Sequence, residues 1–162
     1  MLLASHILVG AAVAASTPNI LLGLVFAFLS HFLLDRIPHW EYSIDPLKQI
    51  KTKGAKYCMP IFRRVALDTT LGLIMLIVAV GFSRSDVSLA VYIFGGVFGA
   101  LADGLSFLLF LAPKNAILSK FLKYFYALHQ KFHFDTKKSP PLRIGIATQA
   151  IAILLALYFI IF

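Results

Sequence analysis

His31, Asp35 and His39 stand at intervals of four residues within Ser30-His31-Phe32-Leu33-Leu34-Asp35-Arg36-Ile37-Pro38-His39-Trp40. On a helix His31 and Asp35 share a face, one turn above the other. Pro38 disfavours helix at Ile37, so His39 falls just past the helix end, where the chain can turn it back. Two imidazoles and a carboxylate gathered at one helix end make half of a metal site. The other half has to come from elsewhere in the chain.

Five further residues qualify by type and place. His6 lies in the first apolar run, Asp68 and Asp103 interrupt later ones, and His129 and His133 repeat the four-residue spacing. A charge within lipid costs ~2.5–3.5 kcal/mol on insertion scales. Three acids in apolar segments therefore need a cation. Arg36, Arg63 and Arg64 are near enough in sequence to serve Asp35 and Asp68, but no basic residue is near Asp103. A divalent metal held by imidazole nitrogens and carboxylate oxygens meets that need, zinc first, then manganese or iron. The expected ligands are His31, Asp35, Asp68, Asp103, His129 and His133, with His39 or His6 as general base. Eight candidates exceed the shell of one zinc, which leaves two metals, or one metal with outer partners. Each residue also has a plainer reading. Asp68 has Arg64 one turn away as an ion-pair partner, and His39 borders the interfacial anchor Trp40. His6 suits an interhelical hydrogen bond, and His129 with His133 suits a solvated surface pair. Glu41, Asp45, Asp86 and Asp135 read as solvated loop acids.

The elements that position these residues are apolar. Of 162 residues, 60% are hydrophobic, and the mean hydropathy is +0.87. The average soluble domain is roughly 45–50% apolar by a count that also includes glycine. Several runs approach the ~18 residues that suggest a bilayer span. The expected fold is all-α: one integral membrane domain over 1–162, a polytopic helical bundle with an interfacial helix. Five hydrophobic segments fall at about 1–16, 19–36, 60–82, 87–111 and 142–162. The first, at ~24 Å, is short for a ~30 Å hydrocarbon core. It either begins in the interface or does not fully span. Thr17 is the expected cap of the second segment, with Pro18 at its first position. Asp45-Pro46 is expected to start a short helix over 47–53, halted by Gly54. Gly95-x3-Gly99 in the fourth is a close-packing pattern. Over 114–136, Leu118, Phe121, Leu122, Phe125, Leu128 and Phe132 recur at helical spacing, with lysines largely elsewhere. That pattern predicts a basic amphipathic helix in the interface, followed by a break at Lys137-Lys138-Ser139-Pro140-Pro141.

The formal charge of +8 sits in loops beside apolar runs. It points to membrane lipids and anionic head groups rather than nucleic acid. The basic loops at 39–59 and 113–141 place the N-terminus in the cytoplasm and the C-terminus outside. Asp68 then lies about 12 Å deep, Asp103 about 15 Å and His6 about 8 Å, all from the cytoplasmic side. Every histidine can thus reach one zone. One cysteine, Cys58, excludes an intrachain disulfide, and its basic juxtamembrane setting leaves palmitoylation or an idle thiol. Residues 1–16 lack a basic n-region, so no cleaved signal peptide is expected.

Ser30-His31-Phe32-Leu33-Leu34-Asp35 followed by Pro38 resembles the S/T-H-x-L-L-D helix ends of small bacterial inner-membrane proteins in the membrane-bound metal-dependent hydrolase family, the YdjM-like group. It is also similar to short membrane proteins that carry an SHFLLDxIPH element. The resemblance is specific over residues 1–40 and later holds by residue type. It implies a helical bundle with clustered His and Asp ligands in a bacterial inner membrane, and a hydrolase activity. The expected activity is metal-dependent hydrolysis, of phosphoesterase or lipase type, on a lipid or lipid phosphate at the cytoplasmic interface. The competing readings are a metal-ion or proton transporter built on the same cluster, and a non-catalytic protein stapled by a structural metal.

Overall fold

The computed structural model describes residues 1–113, 117–134 and 141–162. Among these residues there are eight helices and no strand: α1 Leu3–Ala15, α2 Ile20–Arg36, α3 Asp45–Lys48, α4 Ile50–Lys53, α5 Ala55–Gly81, α6 Leu89–Leu111, α7 Ile117–Phe132 and α8 Leu142–Ile161. Three of them, α5, α6 and α8, are long and apolar enough to cross a membrane. Their outer faces expose Leu67, Ile77, Phe94 and Leu154. A lipid solvent tolerates such faces, and the architecture fits a membrane protein.

The short first segment is the centre of the bundle. Helix α1 packs against α2, α5, α6 and α8, and nine of its 13 residues are buried. At about 20 Å it is shorter than a bilayer core. Its composition suits the place, because Gly10, Ala11, Ala12 and Ala14 let neighbouring backbones come close. A Cβ on Gly10 would stand 2.5 Å from the Gly95 carbonyl oxygen and 2.7 Å from Gly99 Cα. Gly95-x3-Gly99 of α6 thus receives α1 at backbone contact. The far end of the bundle closes around Leu8, Ala11, Leu76, Tyr92 and Ile160.

Three boundaries differ from expectation. Asn19, not Thr17, caps α2, accepting the Leu22 amide at 3.1 Å. The Thr17 hydroxyl turns back and donates to the Val13 carbonyl at 2.7 Å, closing α1. The helix expected at 47–53 is two single turns, α3 and α4, separated at Gln49. Gly54, at φ +78°, ends them in a conformation that glycine adopts without strain. Helix α5 starts at Ala55, five residues before the expected 60, with Pro60 inside it. Near a helix start, proline costs a single intrahelical bond, here to the Lys56 carbonyl.

Helix α7 packs on α6 and α2. It buries Leu122 and His129 and exposes Ile117, Phe121 and Tyr124 beside Lys120 and Lys123. Lys114, Asp135 and most of the break that begins at Lys137 lie outside the described residues. Cys58 is fully buried, its thiol 3.2 Å from the Pro46 carbonyl. That packing removes palmitoylation and leaves a core thiol.

The α1–α6 contact makes a contrast. Gly10→Ala is expected to cost about 1–3 kcal/mol, because the added methyl meets backbone rather than a side chain that can move. Gly104→Ala meets nothing within 4 Å and is expected to be neutral or to stabilise by up to about 1 kcal/mol. Thermal unfolding in detergent reads both. A Gly10→Ala midpoint equal to wild type would refute the backbone contact.

Candidate metal centre

Helix periodicity puts His31 above Asp35 on the buried face of α2. Helix α1 presents His6 to the same point, α6 presents Asp103, and α7 presents His129. His31 Nε2, His129 Nε2 and Asp35 Oδ2 form a triangle with edges of 3.0, 3.1 and 3.1 Å. Asp103 Oδ1 lies 3.8 Å from His31 Nε2. Four residues, His31, Asp35, Asp103 and His129, therefore offer ligand atoms to one point. Ligands 2.0–2.1 Å from a tetrahedral zinc stand about 3.3 Å apart, so the spacing matches a coordination shell.

The outer ring nitrogens decide what the inner ones can do. A carbonyl oxygen only accepts, so His31 Nδ1 donates to Gly99 O at 2.9 Å. His39 Nδ1 likewise donates to Ile37 O at 2.7 Å, and His133 Nδ1 to Phe134 O at 3.2 Å. His129 Nδ1 meets the Ser106 hydroxyl at 2.9 Å. With a proton fixed on Nδ1, the neutral ring presents the Nε2 lone pair inward. That is how metal-ligating imidazoles are oriented. His6 stacks on His31 with ring centroids 4.0 Å apart. Its Nε2 is 3.2 Å from Asp35 Oδ1, yet without hydrogen-bond alignment. Both of its ring nitrogens are buried with no hydrogen-bond partner among the described residues. A buried unsatisfied imidazole aimed at a carboxylate fits a cation between them.

A second group adjoins the first. Asp35, His39 and His133 also offer ligand atoms to one point. Glu41 borders it, with Oε2 3.3 Å from His133 Nε2 and 3.5 Å from His39 Nε2. Burial raises the Glu41 carboxyl, but the contacts from His133 and His39 outweigh it and hold the group well below the usual carboxylate range. Burial lowers the His133 ring, and the Glu41 contact together with the negative charges of Asp35 and Glu41 outweighs it, so the net shift is upward. The Met1 backbone nitrogen lies among these atoms, 3.0 Å from Asp35 Oδ1 and 2.8 Å from His39 Nε2.

Asp68 is elsewhere. Its carboxylate accepts the Leu3 amide at 2.8 Å and the Ala4 amide at 3.2 Å. It caps α1 across the helix interface, and Tyr42 donates to it at 3.4 Å. The structure gives Asp68 a capping role and places it in neither group of convergent ligand atoms, because free amides of a helix N-terminus attract the carboxylate. Neither Arg36 nor Arg64 forms an ion pair with these acids among the described residues. Arg36 lies over the Phe132 ring. Glu41 was read as a solvated acid and in fact contacts His133 and His39, whereas Asp86 is an exposed loop acid as expected and Asp45, also exposed, opens α3 and pairs with Lys48 at 2.6 Å. Ser106 and the Gly99 carbonyl were not singled out either. The only sequence signal for Glu41 was its place two residues after His39.

A cavity of about 1020 Å³ opens beside the centre. Its wall includes Asp103, His129, His39, His133 and Glu41, with Val65, Phe107, Phe110 and Tyr126. Asp103 keeps 31% of its side chain exposed, while Asp35 and His31 are fully buried.

Fold and centre together define an all-helical protein, with three helices able to span a membrane and a buried His/Asp cluster able to hold a metal ion. No family model matches the chain, and no curated protein and no solved structure is significantly similar to it.

The two kinds of acid separate by experiment. Asp68→Asn is expected to lower stability by about 1 kcal/mol, the scale of a lost cap, and to leave metal content unchanged. Loss of metal in this variant, read by elemental mass spectrometry on folded protein, would return Asp68 to the ligand set.

Proposed function

We propose that the chain is a membrane-embedded, metal-dependent hydrolase acting on a lipid or lipid phosphate where the bilayer meets the cytoplasm. The observation that carries this is the convergence of His31, His129, Asp35 and Asp103 on one point, beside a cavity that Asp103 enters. His31, Asp35, Asp103 and His129 would hold the metal, two nitrogens and two oxygens that suit zinc, with manganese or iron as alternatives. When bound, such a metal supplies Lewis acidity and acidifies water. The chain's own part is orientation. Gly99 and Ser106 fix the outer nitrogens of His31 and His129, and the stacked His6 holds His31 in place.

The cavity supports an amphiphilic substrate. Phe107, Phe110 and Val65 offer an apolar wall, while Asp103, Glu41 and the imidazoles offer a polar one. Helix α7, with apolar side chains and lysines exposed together, suits a bilayer surface rich in anionic head groups. The lysines at 48, 51, 53 and 56 suit the same surface. They favour a cytoplasmic N-terminus, an outer C-terminus and, with the resemblance at residues 30–38, a bacterial inner membrane. Of the two residues first considered as general base, His39 lines the cavity and His6 does not. A purely structural metal calls for a closed shell, against which Asp103 stands partly exposed. A transporter needs a polar path onward, and the core beyond the cluster is Leu8, Ala11, Leu76 and Ile160.

The test starts with detergent-purified protein and its His31→Ala/Asp35→Ala variant. Elemental mass spectrometry is expected to find stoichiometric zinc, manganese or iron in the wild type and none in the variant. Phospholipids and polyprenyl phosphates are then screened for hydrolysis. Turnover is expected to fall by more than the about 10–100-fold typical of outer-partner losses. Wild-type protein that binds no metal, even after reconstitution, would refute the reading.

A further inference from the structure

We propose a second divalent-cation position, formed by His39, His133 and Glu41 and sharing Asp35 with the first. It rests on the metal reading above and narrows the substrate to a phosphate ester of a lipid. Asp35 Oδ2 is 3.1 Å from both His31 Nε2 and His129 Nε2, and 3.7 Å from His133 Nε2. One carboxylate thus stands between two groups of imidazoles. On the far side, Glu41 Oε2 is 3.3 Å from His133 Nε2 and 3.5 Å from His39 Nε2. These separations lie at or a little above the about 3.3 Å expected between ligands of one tetrahedral ion. Both rings donate Nδ1–H to backbone carbonyls, Ile37 O and Phe134 O, so their neutral forms present lone pairs to the same point.

Charge calls for a further cation beside the first ion. Asp35, Asp103 and Glu41 bring three negative charges together, and among the described residues no lysine or arginine pairs with any of them. One divalent ion leaves −3 + 2 = −1 on a largely buried cluster; the protonated Met1 nitrogen would bring the sum to 0 and a second divalent ion to +1. The Met1 nitrogen is the rival occupant, 2.8 Å from His39 Nε2 and 3.6 Å from Glu41 Oε2. Paired ions about 3.5–4 Å apart suit phosphoryl transfer, where attacking and leaving oxygens both carry charge. In that reaction water gives its oxygen to phosphorus, the P–O bond to the lipid alcohol breaks, and the alcohol leaves with the proton from water. The His39, His133 and Glu41 group lines the cavity that would receive the phosphate.

Full-length protein in detergent is loaded with Mn²⁺ alone, desalted and measured by elemental mass spectrometry and electron paramagnetic resonance. Two ions per chain with an exchange-coupled spectrum are expected, falling to one uncoupled ion in His39→Ala and in Glu41→Gln. The coupled spectrum is read on wild-type protein, so a variant that fails to fold does not remove the test. One ion per chain, uncoupled and unchanged in His39→Ala but lost in His31→Ala, overturns the second position alone and leaves the Met1 nitrogen as its occupant. Two ions that both survive His39→Ala and Glu41→Gln also overturn it. No bound ion in the wild type overturns this inference and the metal reading together.

Discussion

The buried charge of Asp35 is the constraint from which the rest of the structure follows. Its side chain is fully buried, and an uncompensated carboxylate in such a place costs several kcal/mol. Helical proteins usually answer with an arginine or a lysine. Here the nearest candidate in sequence, Arg36, points away and lies over Phe132. Imidazoles surround the carboxylate instead, from α1, α2 and α7. Imidazole can compensate a carboxylate in two ways, by carrying a proton or by sharing a metal. Where the outer nitrogen is tied to a carbonyl, a neutral ring has its lone pair inward, and the metal is the natural third party.

Meeting that constraint requires helices that approach unusually closely. His6 reaches Asp35 because α1 runs through the middle of the bundle, and α1 fits there because Gly10, Gly95 and Gly99 carry no side chains at the crossing. Gly99 serves twice. A Cβ there would collide with the His6 carbonyl oxygen, and its own carbonyl accepts the proton of His31 Nδ1. Asp68 serves the same end from α5, holding the first amides of α1 and so fixing the height of His6 in the bundle. Packing and ligand geometry are therefore one arrangement rather than a scaffold with a site added.

Much of this was legible in the chain because the decisive spacings are local. His31 and Asp35 are one turn apart, and so are His129 and His133, and helical periodicity alone aligns them. Asp103 stood out as an acid without a basic neighbour in an apolar run. Asp68 likewise interrupts an apolar run, though with Arg64 one turn away. Whether such an acid is a ligand or a cap depends on where the start of α1 lies, and that is a tertiary fact. Glu41 was hidden for the opposite reason. An acid in a polar loop reads as solvated until the turn after Pro38 folds it back between His39 and His133. The role of α1 was half visible. Its length argued against a full span, but only packing shows that its alanines and glycines face four other helices.

The source of the last ligands gives the centre its character. His129 comes from the last turn of α7 and His133 from the residue that follows it; the other faces of α7 carry exposed apolar side chains and lysines. Among the described residues α7 packs mainly on α6 and α2, and its outer faces are left exposed. A bilayer interface anchors such a helix through its apolar side chains and attracts its lysines through anionic lipid. The same helix completes the triangle with His31 and Asp35 and borders the cavity beside it. On the proposed reading, anchoring α7 at the lipid surface and completing the metal centre would be one event, with the reactive point where an amphiphile's head group meets the protein.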